Sequence, residues 1–459
     1  EAVAQPAPHR AALVTPDRGL ARRVAAELRR WGIVIDDSAG TPLPTTVNGL
    51  FFRLIAEALA DDLAPVPLLA LLKHPLSAAG MEQLDFQRHV HLLERLVLRG
   101  PRPAPGMAGI EAALASAERV GDADRRSLRL LLDRLAVMIG DLGPWSAELP
   151  LAERLTAHIR FAEALASRPG AVGSSYLWHG EAGEALGGFL AEMLQACSGM
   201  AAIDAGAYAA LIGELMSGVD VRPRFGLHPR LFIWGPLEAR LQQVDLMILG
   251  GLNEGIWPGD VAIDPWLSRP MRREFGLPAL ERKIGLAAHD FQQALGAPQV
   301  VMTRAQRVGG KPSVPSRWLL RLDAFLRALG RIDPIEGPSQ YRGWQQRLDR
   351  PEKIQAIGRP APRPGAKYRP NELPVTDIEK WMRDPYVLYA RRILRLKRLD
   401  PLDQNADAAD LGNLFHGILD RFFKETVLPL PDDAEALLLK IGEREFAQHM
   451  ARPAVWAFW

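Results

Sequence analysis

The first stretch whose residue types could do chemistry is an apolar run that ends at two glycines. VDLMILGGLNEGIWPG, residues 244–259, passes from this run into a loop that carries Asn253, Glu254 and Trp257. A run this short, cut by glycines, predicts a buried strand whose carboxyl end opens into the loop. Ligands bind at this edge of open α/β sheets. An ordinary connection between a strand and a helix is the alternative.

Arginine-rich stretches are the second candidate for chemistry. RRVAAELRR, MRREF and ARRILRLKR could contact phosphate groups, or they could form solvated helix faces. The formal net charge of the chain is only +2. A balance this close to neutral does not predict nucleic-acid binding, although it permits local basic patches.

The elements that must position these residues alternate between two patterns. Residues 11–40 read as a strand, a helix that starts at Pro16-Asp17, and a second strand, which make one α/β unit. Leucine- and alanine-rich segments at helical spacing follow and indicate an all-α insertion. Strand patterns return at RLFIWGPLEARLQQVDLMILGG and PQVVMTRAQR, before the helical SRWLLRLDAFLRALG. The sequence therefore predicts an α/β domain that is interrupted and then resumes.

Length and composition limit the protein class. A chain of 459 residues is expected to hold two to four domains. The single cysteine excludes an internal disulfide, a cysteine-based zinc site and a four-cysteine iron–sulfur site within this chain, and it fits a reducing cytoplasm. No apolar run approaches the ~18 residues of a membrane span. Both ends look cut, so we expect a fragment of a longer protein.

The order of two short motifs resembles the superfamily 1 (UvrD-like) helicases. GPLEAR, residues 235–240, resembles a family motif that reads roughly Lys-Gly-Leu-Glu, and TRA, residues 303–305, resembles the last one. The resemblance implies that Glu238 accepts hydrogen bonds from ribose hydroxyls. It implies that Arg304 stabilises charge on a γ-phosphate during phosphoryl transfer. A surface or capping role for Glu238 and a structural role for Arg304 are the alternatives.

Nearly the whole chain from residue 10 is similar to the AddB subunits of AddAB helicase–nucleases, in their alphaproteobacterial form. The similarity rests on LGGLNEGIWPGD, DPWLSRPMRREFGLP, PSRWLLRL, VTDIEKWMRDPYVLYARRIL and LGNLFHGILDRF. It implies DNA and an AddA-type subunit as partners, and ATP and Mg²⁺ as cofactors. It also implies DNA contacts by Arg317 and by Trp257, which could stack on a base or, as we favour, pack the loop.

The resemblance also implies the domain layout. Residues 1–50 and 223–330 would form a RecA-like second motor lobe, interrupted by the helical insertion of residues 51–222. Residues 331–372 read as a Pro- and Gly-rich linker. Residues 373–459 would be the first part of a truncated α/β nuclease domain.

Two departures concern the motor half. No Walker loop, G-x-x-x-x-G-K-[ST], occurs in the sequence, so such a loop would lie before Glu1. Gly235-Pro236 stands where the family has Lys-Gly. The motif could therefore survive as scaffold, which makes a non-catalytic DNA-recognition scaffold with a degenerate motor fold the alternative function. An unrelated helical adaptor would require the strand patterns to be accidental.

The C-terminal part resembles the start of a RecB-type PD-(D/E)xK nuclease domain. The resemblance places His416 where that family has a metal-proximal histidine, which can complete an oxygen-rich Mg²⁺ or Mn²⁺ site. Without the resemblance, His416 reads as a packed core histidine. The carboxylates should come later, but no [DE]-x-K triplet follows His416. The triplet at residues 281–283 reads as a solvated helix face.

An iron–sulfur cluster is expected to be absent. Many AddB-like nuclease domains hold such a cluster through a Cys-Pro segment, and this chain has Asp384-Pro385-Tyr386 at that place. Cys197 lies far away in the helical insertion. We expect it to be buried and inert.

Overall fold

The computed structural model describes residues 9–117, 120–197, 199–224, 227–260, 265–279, 281–331, 339–351, 353–404, 408–426, 430–431 and 433–447. The strands are β1 (Ala11–Val14), β2 (Asp36–Asp37), β3 (Thr41–Pro42), β4 (Leu149–Pro150), β5 (Ala202–Ile203), β6 (Asp220–Val221), β7 (Leu231–Trp234), β8 (Leu246–Leu249), β9 (Gln299–Met302), β10 (Arg307–Val308) and β11 (Lys311–Pro312).

The helices of the first half are α1 (Arg18–Arg29), α2 (Val47–Ala60), α3 (Pro65–Leu72), α4 (Gln83–Leu93), α5 (Gly106–Ser116), α6 (Asp122–Gly140), α7 (Leu151–Ala166), α8 (Ser174–Leu177), α9 (Gly180–Ala196) and α10 (Ala205–Ser217). Those of the second half are α11 (Arg269–Glu274), α12 (Glu281–Ala294), α13 (Arg317–Ala328), α14 (Ser339–Asp349), α15 (Val375–Arg383), α16 (Pro385–Leu388), α17 (Ala408–Glu425) and α18 (Ala434–Ala447).

The chain divides into two compact units, each built from two stretches of sequence. The first unit comprises Glu1–Thr41 and Asp220–Ile357, and the second comprises Pro42–Val219 and Gly358–Trp459. The protein is therefore a mixed α/β chain. None of the helices among the described residues is long and apolar enough to cross a bilayer.

A five-stranded parallel sheet forms the centre of the first unit. The strand order is β2-β7-β1-β8-β9, so β1 pairs with β7 on one side and with β8 on the other. In this register Ala11 lies opposite both Leu231 and Leu246. The central strands are apolar throughout because helices cover both faces of a parallel sheet.

Alternate residues of the strands face opposite layers of helix. On one face Leu13 and Ile233 pack against Ala21 of α1. On the other face Ala12 and Val14 belong to a cluster with residues of α12 and α13, namely Phe291, Ala294 and Trp318. The Asp17 carboxylate accepts a hydrogen bond from the Leu20 amide at 3.0 Å, so α1 begins where the sequence predicts.

The second unit is built around α2. This helix packs against α3, α7, α9 and α10, and its buried side chains include Phe51, Phe52 and Ile55. Thr46 caps its start by accepting a hydrogen bond from the Gly49 amide at 3.1 Å. The predicted helical character of this part is confirmed. The antiparallel pairing of β4 with β5 was not predicted.

A buried arginine connects two backbone segments of this unit. The Arg154 guanidinium donates to the carbonyls of Trp145, Ala147 and Ile203, and it lies over the Trp145 ring. Nearby, His158 stacks on Phe52 at 3.6 Å between ring centroids. Burial lowers the pKa of His158 to about 3, so the imidazole is neutral at physiological pH. These groups hold the helical core together.

The segment before α17 is bonded to the loop after α4. The Gly100 amide donates to the Pro401 carbonyl at 2.9 Å, and the Gln404 amide donates to the Gly100 carbonyl at 3.1 Å. The Arg99 guanidinium adds a bond to the Asp400 carbonyl at 2.9 Å. This contact joins the C-terminal helices to the helical insertion within the second unit.

Two expectations about local structure have different outcomes. Cys197 is buried as predicted, and burial raises the pKa of its thiol. The stretch read as a linker contains α14, whose helix the sequence reading did not predict. Residues 332–338 and 352 of that stretch lie outside the described part.

A glycine in α2 provides a test of this packing. A Cβ at Gly49 would lie 1.9 Å from the Leu43 carbonyl oxygen, which is backbone and cannot rotate away. We expect Gly49→Ala to lower the free energy of unfolding by about 1–3 kcal/mol. Gly213→Ala in α10 is the control, because the nearest atom lies 3.9 Å from its Cβ. That change should be neutral or stabilise by up to about 1 kcal/mol. Equal midpoints in urea for the two variants would contradict this packing.

Candidate functional site

The loop residues predicted to do chemistry lie at one edge of the parallel sheet. Glu238 follows β7, the loop of residues 250–259 follows β8, and Arg304 follows β9. Parallel strands bring their carboxyl ends to the same edge. Glu238 and Arg304 are both exposed, and three strand spacings of ~4.8 Å separate their strands. The axes of the two strands are therefore roughly 14 Å apart.

Asn253 connects the loop after β8 to the loop after β9. Its side chain is only 4% exposed. The amide Nδ2 donates to the Ala305 carbonyl and to the Ser313 hydroxyl, both at 2.8 Å, while Oδ1 accepts from the Ala305 amide at 3.0 Å. These bonds hold the backbone at Ala305, immediately after Arg304. Asn253 thus fixes the loop after β9 at the residue that follows Arg304.

Trp257 packs the loop. Its ring is 1% exposed and lies edge-on to Phe291, and its indole Nε1 donates to the Gly250 carbonyl at 3.0 Å. The favoured packing interpretation therefore fits the structure. The ring has no open face for a base, so base stacking by Trp257 is wrong for this conformation.

Arg317 is paired within the same edge. It is the first residue of α13, and its Nε donates to a Glu254 carboxylate oxygen at 2.8 Å while its backbone amide donates to the other oxygen at 3.1 Å. This pairing lowers the pKa of Glu254 because it favours the carboxylate. A phosphate contact by Arg317 would compete with Glu254, and it stays a prediction.

Positive charge surrounds Arg304 beyond this pair. The strands β10 and β11 form a short hairpin whose turn residues Gly309 and Gly310 both have positive φ. Arg307 and Lys311 flank this turn and are exposed. None of Arg304, Arg307 and Lys311 makes an ion pair with a described carboxylate. The edge can therefore attract a phosphate-bearing ligand, and Glu238 is an exposed carboxylate on the same edge.

In the C-terminal helices a buried carboxylate, that of Asp377, serves a structural role. Asp377 of α15 is buried and accepts hydrogen bonds from Arg392 at 2.7 Å and from Lys380 at 3.3 Å. The Arg392 bond holds the pKa of Asp377 below its usual value. The carboxylate locks α15 onto the turn of residues 389–393, and its oxygens are engaged there.

His416 lies on α17 with its side chain exposed. The default interpretation as a packed core histidine is therefore wrong. The core of this helix pair is formed by other residues, namely Ile418, Phe422 and Ile441. Within the described residues no three His, Cys, Asp or Glu side chains are grouped to hold a metal ion. His416 is thus one donor without the carboxylates that Mg²⁺ requires, and the described residues alone do not fit that ion.

Comparisons with known proteins identify the C-terminal part. Residues 372–457 match the PD-(D/E)XK nuclease superfamily, so the chain carries a nuclease-like domain at its C-terminal side. An uncharacterized protein of Rickettsia felis is 26% identical over 248 residues, which cover 54% of this chain and 29% of that protein. One of Rickettsia bellii is 25% identical over 269 residues, 58% of this chain and 31% of that protein. The chain thus covers less than a third of each of these relatives.

The hydrogen bonds that join Asn253 to the loop after β9, here called the clamp, were not assigned from the sequence. The sequence placed Asn253 in the loop after β8, but its role depends on β9 lying next to β8. The available signal was the order of two apolar runs about fifty residues apart, which predicts neighbouring parallel strands. An asparagine just past the end of the first strand is then within reach of the loop after the second.

We expect Asn253→Ala to lower the free energy of unfolding by about 0.5–1.5 kcal/mol, because it removes the three hydrogen bonds of a buried side chain, among them the acceptor of the Ala305 amide. The Ala305 amide should also lose protection in hydrogen exchange. Gln242→Ala, which removes an exposed amide from the loop after β7, is the control. Unchanged exchange at Ala305 in the Asn253 variant would contradict the clamp.

Proposed function

We propose that this chain is part of an AddB-type subunit of an ATP-dependent helicase–nuclease that processes DNA ends in double-strand-break repair by recombination. The observation that carries the proposal is the match of residues 372–457 to the PD-(D/E)XK nuclease superfamily. A nuclease domain implies DNA as substrate. The partner would be an AddA-type helicase–nuclease subunit.

The sheet unit supports the motor part of this proposal. Residues 1–50 and 223–330 would form a RecA-like second motor lobe around the helical insertion of residues 51–222. In support, β1 from the first stretch lies between β7 and β8 from the second. Glu238 and Arg304 follow strands of that sheet and would contact the ribose and the γ-phosphate of ATP.

For the nuclease part, His416 is the proposed donor. The described residues do not supply the acidic ligands, so those must come from elsewhere in the protein. What this chain contributes is one exposed imidazole, carried on a helix that the buried Ile418 and Phe422 hold in place.

The nuclease proposal is tested with the whole protein bound to its AddA-type partner, whose own nuclease has been inactivated. End-labelled linear duplex DNA should be cut with Mg²⁺ and left intact with EDTA. We expect His416→Ala to slow the cutting on the order of tenfold or more. Asn413→Ala, an exposed change on the same helix, should cut like the wild type. Cutting at the wild-type rate by the His416 variant would remove His416 from the site.

A second candidate is a non-catalytic DNA-recognition scaffold with a degenerate motor fold. The observation that favours it is the use of Asn253, Glu254 and Trp257 in contacts within the chain. In addition, Gly235-Pro236 stands where the family motif has Lys-Gly. These loops would then keep the motor architecture while the partner subunit supplies the ATP hydrolysis.

Arg304→Ala separates the two candidates. The nucleotide site of the AddA-type partner is inactivated first, and DNA-stimulated ATP hydrolysis is then measured. A live motor should lose about 10³-fold in rate, because an arginine at the γ-phosphate contributes that much or more. Arg29→Ala, an exposed change at the far end of α1, is the control. Loss of DNA affinity with no Arg304-dependent hydrolysis would instead support the scaffold.

A further inference from the structure

An exposed aromatic and basic segment lies between β8 and β9. It comprises residues 265–283, of which 280 is outside the described part, and it contains α11 and the start of α12. Trp266 is 86% exposed and Phe275 is 71% exposed. Met271 and Leu277 are exposed as well. Apolar rings on this scale are not explained by packing within the unit, and such surfaces mark interaction sites.

The same segment concentrates positive charge. It has two carboxylates, Glu274 and Glu281, and five cationic side chains, namely Arg269, Arg272, Arg273, Arg282 and Lys283. The segment therefore carries +3, whereas the whole chain carries +2. Among the described residues, Arg273, Arg282 and Lys283 have no ion-pair partner. The charge is available to a ligand.

Local hydrogen bonds give the segment a defined conformation. Ser268 caps α11, the Phe275 amide donates to the Met271 carbonyl at 2.9 Å, and the Leu277 amide donates to the Arg272 carbonyl at 2.8 Å. Arg269 pairs with Glu281 at 3.4 Å and so connects α11 to the start of α12. The exposed rings are thus presented from a bonded turn.

Two arginines of α11 lie on one face of the helix, beside the Glu274 carboxylate. Arg269 and Arg273 lie four residues apart and therefore share one face of the helix. They line a shallow hollow together with Pro270 and Glu274. Guanidinium groups bind phosphate oxygens through paired N–H donors. The rings of Trp266 and Phe275 lie on either side of this helix in the chain.

We propose that residues 265–283 bind single-stranded DNA, with Trp266 and Phe275 stacking on bases and the arginines contacting phosphates. Unpaired bases offer open faces to aromatic rings, whereas the bases of a duplex are already stacked on each other. The proposal deepens the proposed function and rests on it, because the nuclease match is what favours DNA over an acidic protein. It places a surface for a DNA strand outside the bonded loops of residues 250–259 and 303–313.

The test measures the affinity of the whole protein for a fluorescein-labelled oligothymidine by anisotropy, with EDTA and without ATP. The double variant Trp266→Ala/Phe275→Ala should bind on the order of tenfold more weakly for each ring that stacks. Arg273→Ala should reduce the slope of log affinity against log salt by about one. Trp31→Ala, which removes another exposed tryptophan of the same unit, should bind like the wild type.

The outcomes separate this surface from the wider function. If the wild type binds the oligothymidine and the double variant binds equally well, this surface proposal is overturned while DNA processing stands. If the double variant keeps its DNA affinity but no longer associates with the AddA-type partner, the segment is a protein-docking surface. If the wild type binds no DNA, single-stranded or duplex, the proposed function fails as well. Matching thermal midpoints confirm that each variant is folded.

Discussion

The position of β1 between β7 and β8 is the constraint on which the first unit depends. A strand from the start of the chain can occupy the centre of the sheet only if residues 42–219 leave and return at that sheet. Both neighbours are parallel to it, so each connection must cross over a face. The same arrangement brings the loops after β1, β7, β8 and β9 to one edge, which makes distant parts of the sequence neighbours.

Local sequence signals predicted the parts that depend on short-range physics. Short apolar runs became the sheet strands β1, β7, β8 and β9, of which β1 and β8 are the most buried, and the Asp17 cap became the start of α1. The site was only partly predictable. The sequence placed Glu238, Arg304 and the loop of residues 250–259 after strands. It did not reveal which of the side chains would be engaged in contacts within the chain.

The features that sequence reasoning missed depend on contacts between distant residues. Asn253 acts through Ala305, and the Arg154 guanidinium donates to carbonyls of the segment before β4 and of β5. For His416 the sequence pattern suggested burial, whereas the side chain is exposed. Its apolar neighbours along the helix suggested burial, but the partner helix α18 covers the face of Ile418 and Phe422, so the imidazole is left exposed. A single helical pattern does not specify which of two apolar stripes finds a partner.

The motif NEGIWP, residues 253–258, and the exposed segment of residues 265–283 differ in whether their side chains contact the rest of the chain. In the motif, Asn253, Glu254 and Trp257 each bond to a partner within the chain, and removing the buried side chain of Asn253 or Trp257 would leave its partner without that hydrogen bond. In residues 265–283, rings and arginines stay in solvent, although burying such rings would stabilise the fold by about 1.5–3 kcal/mol each. Folding therefore accounts for the motif and leaves the exposed segment unexplained. A surface that keeps large rings and uncompensated cations in water is accounted for by a ligand that carries both flat faces and negative charge, and a single DNA strand has both.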